Sequence, residues 1–275
     1  MHEVTITDKP QIAYSECYAP LIVGSLFSGV GGFELGAEMS GLKTIWNCEF
    51  EPHNREILKK NFPNVKQYFD VREMKNVEKV NVICGGFPCQ DLSIANVSNK
   101  KLWNNGECIG IKGERSGLWT EMFRIIREVR PDYVIIENSP MLLVRGFERV
   151  LCDLSEIGYV CEWQCLSASQ FGYNHKRERF FAIAYPSEKR CKNNTKAFRK
   201  LQEILLKQPS RQNPISMPFK RFNSDSDYKL LRMDDGFSSE LDKQRIEMMG
   251  NAVIPELAHY LFECVKLHRA SLSGA

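Results

Sequence analysis

Continuous apolar runs alternate along the chain with stretches of helical spacing. Residues 21–27 (Leu-Ile-Val-Gly-Ser-Leu-Phe) are predicted as a buried strand. The glycine-rich turn Ser28-Gly29-Val30-Gly31-Gly32 follows, then a helix over about 33–40 that Gly41 closes. A second strand over 44–49 ends in Glu49, and Pro52 stands near the first turn of a helix running to about Asn61. A short third strand over 65–69 ends at Asp70, and a fourth over 80–84 runs into Gly85-Gly86-Phe87-Pro88-Cys89-Gln90-Asp91-Leu92-Ser93. Further on, the pattern predicts a helix over 118–129, a strand over 133–136 that delivers Glu137-Asn138-Ser139, and a helix over 143–157. Strands over 159–166 and 180–184 and a last helix over 255–267 complete it. Strands alternating with helices predict an α/β fold around a parallel sheet.

Three chemical features fall at the carboxyl ends of these strands, where open α/β sheets place their ligands. Strand one leads into glycines that let a ligand approach the backbone and the free N–H groups of a helix start. Strands two and three end in Glu49 and Asp70; Glu49 lies 18 positions after Gly31, a spacing suited to a ribose hydroxyl. Strand four leads to Cys89 and strand five to Glu137. A lone cysteine in a turn is most often plain core. A thiol near a carboxylate and a nucleoside-type pocket is instead suited to covalent activation of a poor nucleophile. Residues 90–117 have little periodicity and carry Gly106, Gly110, Gly113 and Gly117, which predicts a lid over the thiol.

Composition adds compartment and charge. Ten cysteines scattered through strand-like runs, with no Cys-x-x-Cys pair, predict reduced thiols and no metal site. No apolar run approaches the ~20 residues of a membrane span, and residues 1–10 carry no signal-like core. The expected compartment is the cytoplasm. Net charge is +3, but residues 186–229 hold 11 Lys/Arg against 4 Asp/Glu, a local +7. The rest of the chain, with 26 basic and 30 acidic residues, is left at −4. A basic segment on a mildly acidic body suits a polyanion, or is a solvated loop.

At this point the chain resembles the DNA cytosine-5 methyltransferase family, most closely its compact bacterial and phage branch. The matching residues are Phe27-Ser28-Gly29-Val30-Gly31-Gly32, Gly86-Phe87-Pro88-Cys89-Gln90-Asp91-Leu92-Ser93, Glu137-Asn138-Ser139, His175-Lys176-Arg177-Glu178-Arg179 and Gly250-Asn251-Ala252-Val253-Ile254-Pro255, in the family's order. They cover about 21–185 and 245–267. The resemblance implies a Rossmann-like S-adenosylmethionine-dependent methyltransferase fold with a small, basic target-recognition region. The division expected is an extension at 1–20, a catalytic and cofactor-binding domain at 21–185, the recognition region at 186–244, and a segment at 245–275 that returns to the catalytic domain.

The resemblance implies methyl transfer from S-adenosylmethionine to C5 of a flipped-out cytosine in double-stranded DNA. Cys89 would add to C6 as a thiolate, Glu137 would bond or protonate N3, Arg177 would hold the base and favour the thiolate, and Arg179 would support Glu137 or a phosphate. Phe27, Gly29, Gly31, Glu49, Asp70, Pro88 and Asn251 are the implied cofactor contacts. Gln90 and Ser93, with Lys189, Arg190, Arg199 and Lys200 of the basic segment, are the candidate DNA contacts. The expected protein is a monomer, with no membrane contact and nucleoid-associated when on DNA. Two departures stand out: His175 where glutamine is frequent and Ser139 where valine is frequent. The 186–244 region is also shorter than usual, with Met233-Asp234-Asp235-Gly236 the nearest trace of the element before Gly250. A transfer-RNA methyltransferase and a catalytically silent DNA-binding relative are the competing readings; the first differs in its Pro-Cys-Gln-Pro-type loop, and intact Cys89, Glu137 and Arg177 oppose the second.

Overall fold

The computed structural model describes residues 19–88, 103–104, 107–108, 117–171, 173, 177–189 and 252–272. Strands β1 (Ile22–Leu26), β2 (Lys43–Cys48), β3 (Lys66–Tyr68), β4 (Val82–Gly85), β7 (Tyr133–Asn138), β8 (Tyr159–Ser167) and β9 (Glu178–Pro186) form one sheet in the order β3-β2-β1-β4-β7-β9-β8. The short strands β5 (Trp103–Asn104) and β6 (Glu107–Cys108) pair as an antiparallel hairpin inside a stretch where the sequence pattern predicts no element.

The first five strands of that order are mutually parallel, and both faces of their centre are covered, which is why β7 is buried at all six positions. Helices α3 (Leu118–Val129) and α5 (Phe147–Glu156) cover one face, where Trp119, Met122, Ile126, Val150 and Leu154 pack on Leu26, Ile83, Val134 and Ile136. The buried carboxylate of Asp153 is satisfied there by Trp119 Nε1 at 2.8 Å and Arg149 Nε at 2.6 Å. Helices α1 (Gly32–Met39) and α6 (Pro255–Leu272) cover the other face, with Phe33, Ala37, Leu261 and Phe262 against Val23, Val82, Cys84 and Ile135. The two helices touch at glycines: a Cβ on Gly36 would stand 2.5 Å from Ala258 Cβ, and one on Gly32 would strike the Val253 carbonyl. Residues more than 200 positions apart thus flank the same strand end.

Three expectations change. The sheet is not parallel throughout: β9 runs antiparallel between β7 and β8, pairing Glu137 with Phe181 and Asn138 with Phe180. The helix expected over 143–157 is two, α4 (Leu142–Arg145) and α5, because Gly146 at φ 149° takes a backbone conformation that breaks the ladder. Element limits also move by a few residues, most at α6, which continues to Leu272. Helix α2 (Pro52–Asn61) begins at Pro52 as the sequence pattern predicts. Among the described residues no helix is long and apolar enough to cross a membrane.

Candidate active site

The first wall of the site is the turn after β1. Phe27, Gly29 and Gly31 have φ of 54°, 56° and 95°, so a non-glycine residue is held in the left-handed region next to two glycines that share it. Ser28 fastens the turn: its N–H donates to the Cys48 carbonyl at 3.1 Å and its carbonyl accepts from Gly31 N at 3.0 Å. A Cβ on Gly29 would meet nothing within 4 Å, so the turn faces open space and leaves a ligand room.

The acids after β2 and β3 flank that space. Glu49 is buried; one carboxylate oxygen accepts from Gly29 N at 2.7 Å, the other from Glu51 N at 2.9 Å and Asn54 Nδ2 at 3.4 Å. Burial pushes its carboxyl above the ordinary value, and these bonds pull it back. Asp70 is gripped by Arg72, whose Nε and Nη2 reach both oxygens at 2.6–3.0 Å while its N–H donates to Oδ1 at 2.9 Å. That grip holds the Asp70 carboxyl below the usual carboxylate range. A cofactor amino group would compete with Arg72 for Asp70.

Two aromatic residues the sequence reading passed over complete this wall. Phe50 and Phe69 are 52% and 47% exposed, with ring centroids 5.2 Å apart, each directly beside one of the two acids. Arg55 lies 4.2 Å over Phe69 and Arg72 5.9 Å from Phe50. Exposed rings beside two hydrogen-bond acceptors suit a planar base. The available signal was a phenylalanine at each strand tip, where a core residue is out of place.

The second wall is the end of β4 and β7. Glu137 is buried, and Arg179 Nε stands 3.2 Å from its Oε1. A Cβ on Gly86 would stand 2.4 Å from Glu137 Oε2, so the glycine lets the carboxyl approach the turn that leads to Cys89 without either shifting. Asn138, to which the sequence reading gave no separate role, donates Nδ2 to the Phe87 carbonyl at 3.1 Å and ties the same turn to β7. Burial pushes the Glu137 carboxyl above its ordinary value; Arg179 and then Arg177 pull it back. Arg177 donates Nη1 to the Ala252 carbonyl at 2.5 Å, which joins the start of β9 to the start of α6.

Phe27, Gly29, Gly31, Glu49, Asp70, Pro88, Glu137, Arg177 and Arg179 therefore come to one edge of one sheet. Lys189 does not. It is paired with Asp132, which precedes β7 at the opposite edge and also accepts from Asn81 Nδ2. The Asp132 carboxylate is the partner of its ammonium there. Cys89, Gln90, Ser93, Arg190, Arg199, Lys200 and Asn251 lie outside the described residues, as do most of the expected lid over 90–117 and residues 190–244 of the recognition region expected at 186–244.

A five-stranded parallel core extended by an antiparallel pair, with a glycine turn, two strand-tip acids and an exposed aromatic platform, defines a Rossmann-like methyltransferase fold. The chain belongs to the C-5 cytosine-specific DNA methylase family, whose model matches residues 21–229. It is 37% identical over 170 residues to the type II methyltransferase M2.BsuMI of Bacillus subtilis, covering 59% of this chain and 41% of that one. It is 33% identical over 186 residues to M.Sau3AI of Staphylococcus aureus, covering 60% and 43%. The chain thus spans less than half the length of these two relatives. The solved structure of the Entamoeba histolytica methyltransferase EhMeth shares the fold at a TM-score of 0.50 and 21% identity, covering 61% of this chain and 53% of that one. The family uses S-adenosylmethionine as methyl donor, and the open glycine turn, the acids and the exposed rings fit a cationic nucleoside.

Proposed function

We propose that this chain transfers a methyl group from S-adenosylmethionine to C5 of a flipped-out cytosine in duplex DNA. The observation that carries the reading is the seating of Glu137 against Gly86, 3.2 Å from Arg179, at the turn that leads to Cys89. Bound at the β1–β3 wall, S-adenosylmethionine supplies an electrophilic methyl group. Phe27, Gly29 and Gly31 would hold its methionine part, Glu49 its ribose, and Asp70 with Phe50 its base; Pro88 and Asn251 would close the pocket.

The chemistry on the cytosine belongs to the protein. The Cys89 thiolate adds to C6, forming an Sγ–C6 bond and pushing electrons toward N3. Glu137, whose carboxyl burial pushes above its ordinary value, would hold a proton at N3 and so stabilise the charge that develops there. C5 is then electron-rich and accepts the methyl carbon. Loss of the C5 proton to a base and cleavage of the Sγ–C6 bond restore the aromatic ring and the thiolate. Arg177 and Arg179 supply positive charge that favours the thiolate and orients Glu137. Arg190, Arg199 and Lys200, with Gln90 and Ser93, would contact the DNA.

Incubation with methyl-labelled S-adenosylmethionine and duplex DNA, single-stranded DNA or transfer RNA tests the reading. Label in 5-methylcytosine of the duplex is expected. Label confined to transfer RNA would replace the DNA substrate, and no label in any of the three would leave a silent relative.

A further inference from the structure

The carboxyl of Glu34 is the largest polar anomaly near the site. It lies in the first turn of α1 and is fully buried, and neither oxygen is paired in ordinary hydrogen-bond geometry among the described residues, although the Ser25 and Ser28 hydroxyls lie near enough to favour its charged form. An unpaired buried polar group costs about 1–3 kcal/mol, so a native fold that retains one needs a reason. The groups facing it are few. Ser25 near the end of β1 and Ser28 in the glycine turn hydrogen-bond to each other, Oγ to Oγ at 2.9 Å. Cys84 faces it from β4, with a thiol that burial pushes well above the ordinary range, so it stays neutral. Glu49 faces it from the end of β2 and adds like charge. Among the described residues, no cation is one of the groups that shift it. Burial pushes the Glu34 carboxyl up to about 7, and the nearby serine hydroxyls and its own backbone N–H pull it only part of the way back.

The position explains what such a group is suited to. Ser25 and Cys84 each stand one residue from the last residue of their strands, and Ser28 opens the turn that faces free space at Gly29. Glu34 therefore lies directly beneath the proposed donor turn. S-adenosylmethionine carries a sulfonium and an ammonium against one carboxylate. Its product, S-adenosylhomocysteine, has lost the sulfonium charge. Resting on the proposed function, we propose that Glu34 is a positioning residue whose buried carboxyl keeps a proton in part of the empty protein and loses it when the cationic donor occupies the turn above it. Donor binding then releases a proton, and the site prefers the charged donor over the uncharged product. A buried carboxylate is favoured by a nearby cation, and the donor brings a net positive charge that the product lacks.

The test compares donor and product affinity in the wild-type protein and in Glu34→Gln between pH 6 and 8.5, by calorimetry in two buffers of different ionisation heat. The wild-type preference for donor over product is expected to rise about fivefold across that range, the part of the limiting tenfold change for a one-unit shift on binding that falls between pH 6 and 8.5. Wild-type donor binding at pH 7 should release a fraction of a proton, and Glu34→Gln should show a flat preference and no release. A flat preference in the wild type, or the same rise in Glu34→Gln, overturns the inference while leaving the methyl-transfer reading intact. Failure of the wild type to bind either ligand overturns both. The resting state is tested without any ligand. Glu34 is raised above its unfolded value, so the stability it lends is present below that value and lost as pH rises through about 7. The melting midpoint of the wild type should therefore fall relative to Glu34→Gln from pH 5 to 8, and a constant difference would overturn the neutral-acid assignment.

Discussion

Arg179 Nε lies 3.2 Å from Glu137 Oε1, an ion pair between neighbouring antiparallel strands whose two members are 42 positions apart in sequence. Glu137→Gln keeps the shape of the carboxyl but cannot supply a proton in the same way. Single-turnover methyl transfer should slow by about 100-fold or more, with donor affinity unchanged. Arg179→Leu leaves a buried carboxyl without its main counter-charge, so the Glu137 carboxyl rises further. A carboxyl raised above its unfolded value loses stability as pH climbs toward the folded value, so the loss should be larger at pH 8 than at pH 5. A loss of about 3 kcal/mol at pH 8, read from urea midpoints, is the expected scale.

Cys89→Ala should abolish methyl transfer while binding of S-adenosylmethionine persists, because in the proposed mechanism the thiol acts on the cytosine while the proposed cofactor wall is built from β1 to β3. Wild-type enzyme on DNA carrying 5-fluorocytosine should accumulate a denaturation-resistant protein–DNA adduct, since fluorine blocks loss of the C5 proton. Absence of that adduct in an active preparation would count against the covalent route.

Gly86→Ala places a methyl group against Glu137 Oε2 and forces either the carboxyl or the Cys89 turn to move. Overpacking of this kind costs about 1–3 kcal/mol. A displacement near 1 Å at a reacting group costs on the order of 100-fold in rate. Methyl transfer should therefore fall much further than the melting midpoint implies. Equal activity would mean that the approach of Glu137 to Gly86 is not used.

Neutralising Arg190, Arg199 and Lys200 together should weaken duplex binding and flatten the dependence of log affinity on log salt, by about 0.9 for each phosphate no longer neutralised. Lys189→Ala should leave the slope unchanged, because Asp132 holds that ammonium at the opposite edge of the sheet. A reduced slope for Lys189→Ala alone would reverse this assignment.

Local chemistry made much of this site legible in the sequence. The glycine turn, Glu49 and Glu137 each follow an apolar run, and an apolar run bounded by turn residues marks a buried strand whose end can be read directly. Strand direction and long-range pairing are not local properties. The same alternation suits a parallel or an antiparallel neighbour, so only the tertiary structure decided that β9 runs backward beside β7 and brings Arg179 to Glu137. It also decided that Arg72 occupies Asp70, that Lys189 pairs with Asp132 at the opposite edge, and that Phe50 lies exposed beside Glu49. Glu34 is the plainest case. In sequence it is an ordinary acid in the first turn of a helix, where acids are favoured by the helix dipole. Burial against β1 and β4 changes what it can do, because the cost of a charge depends on what surrounds it in space.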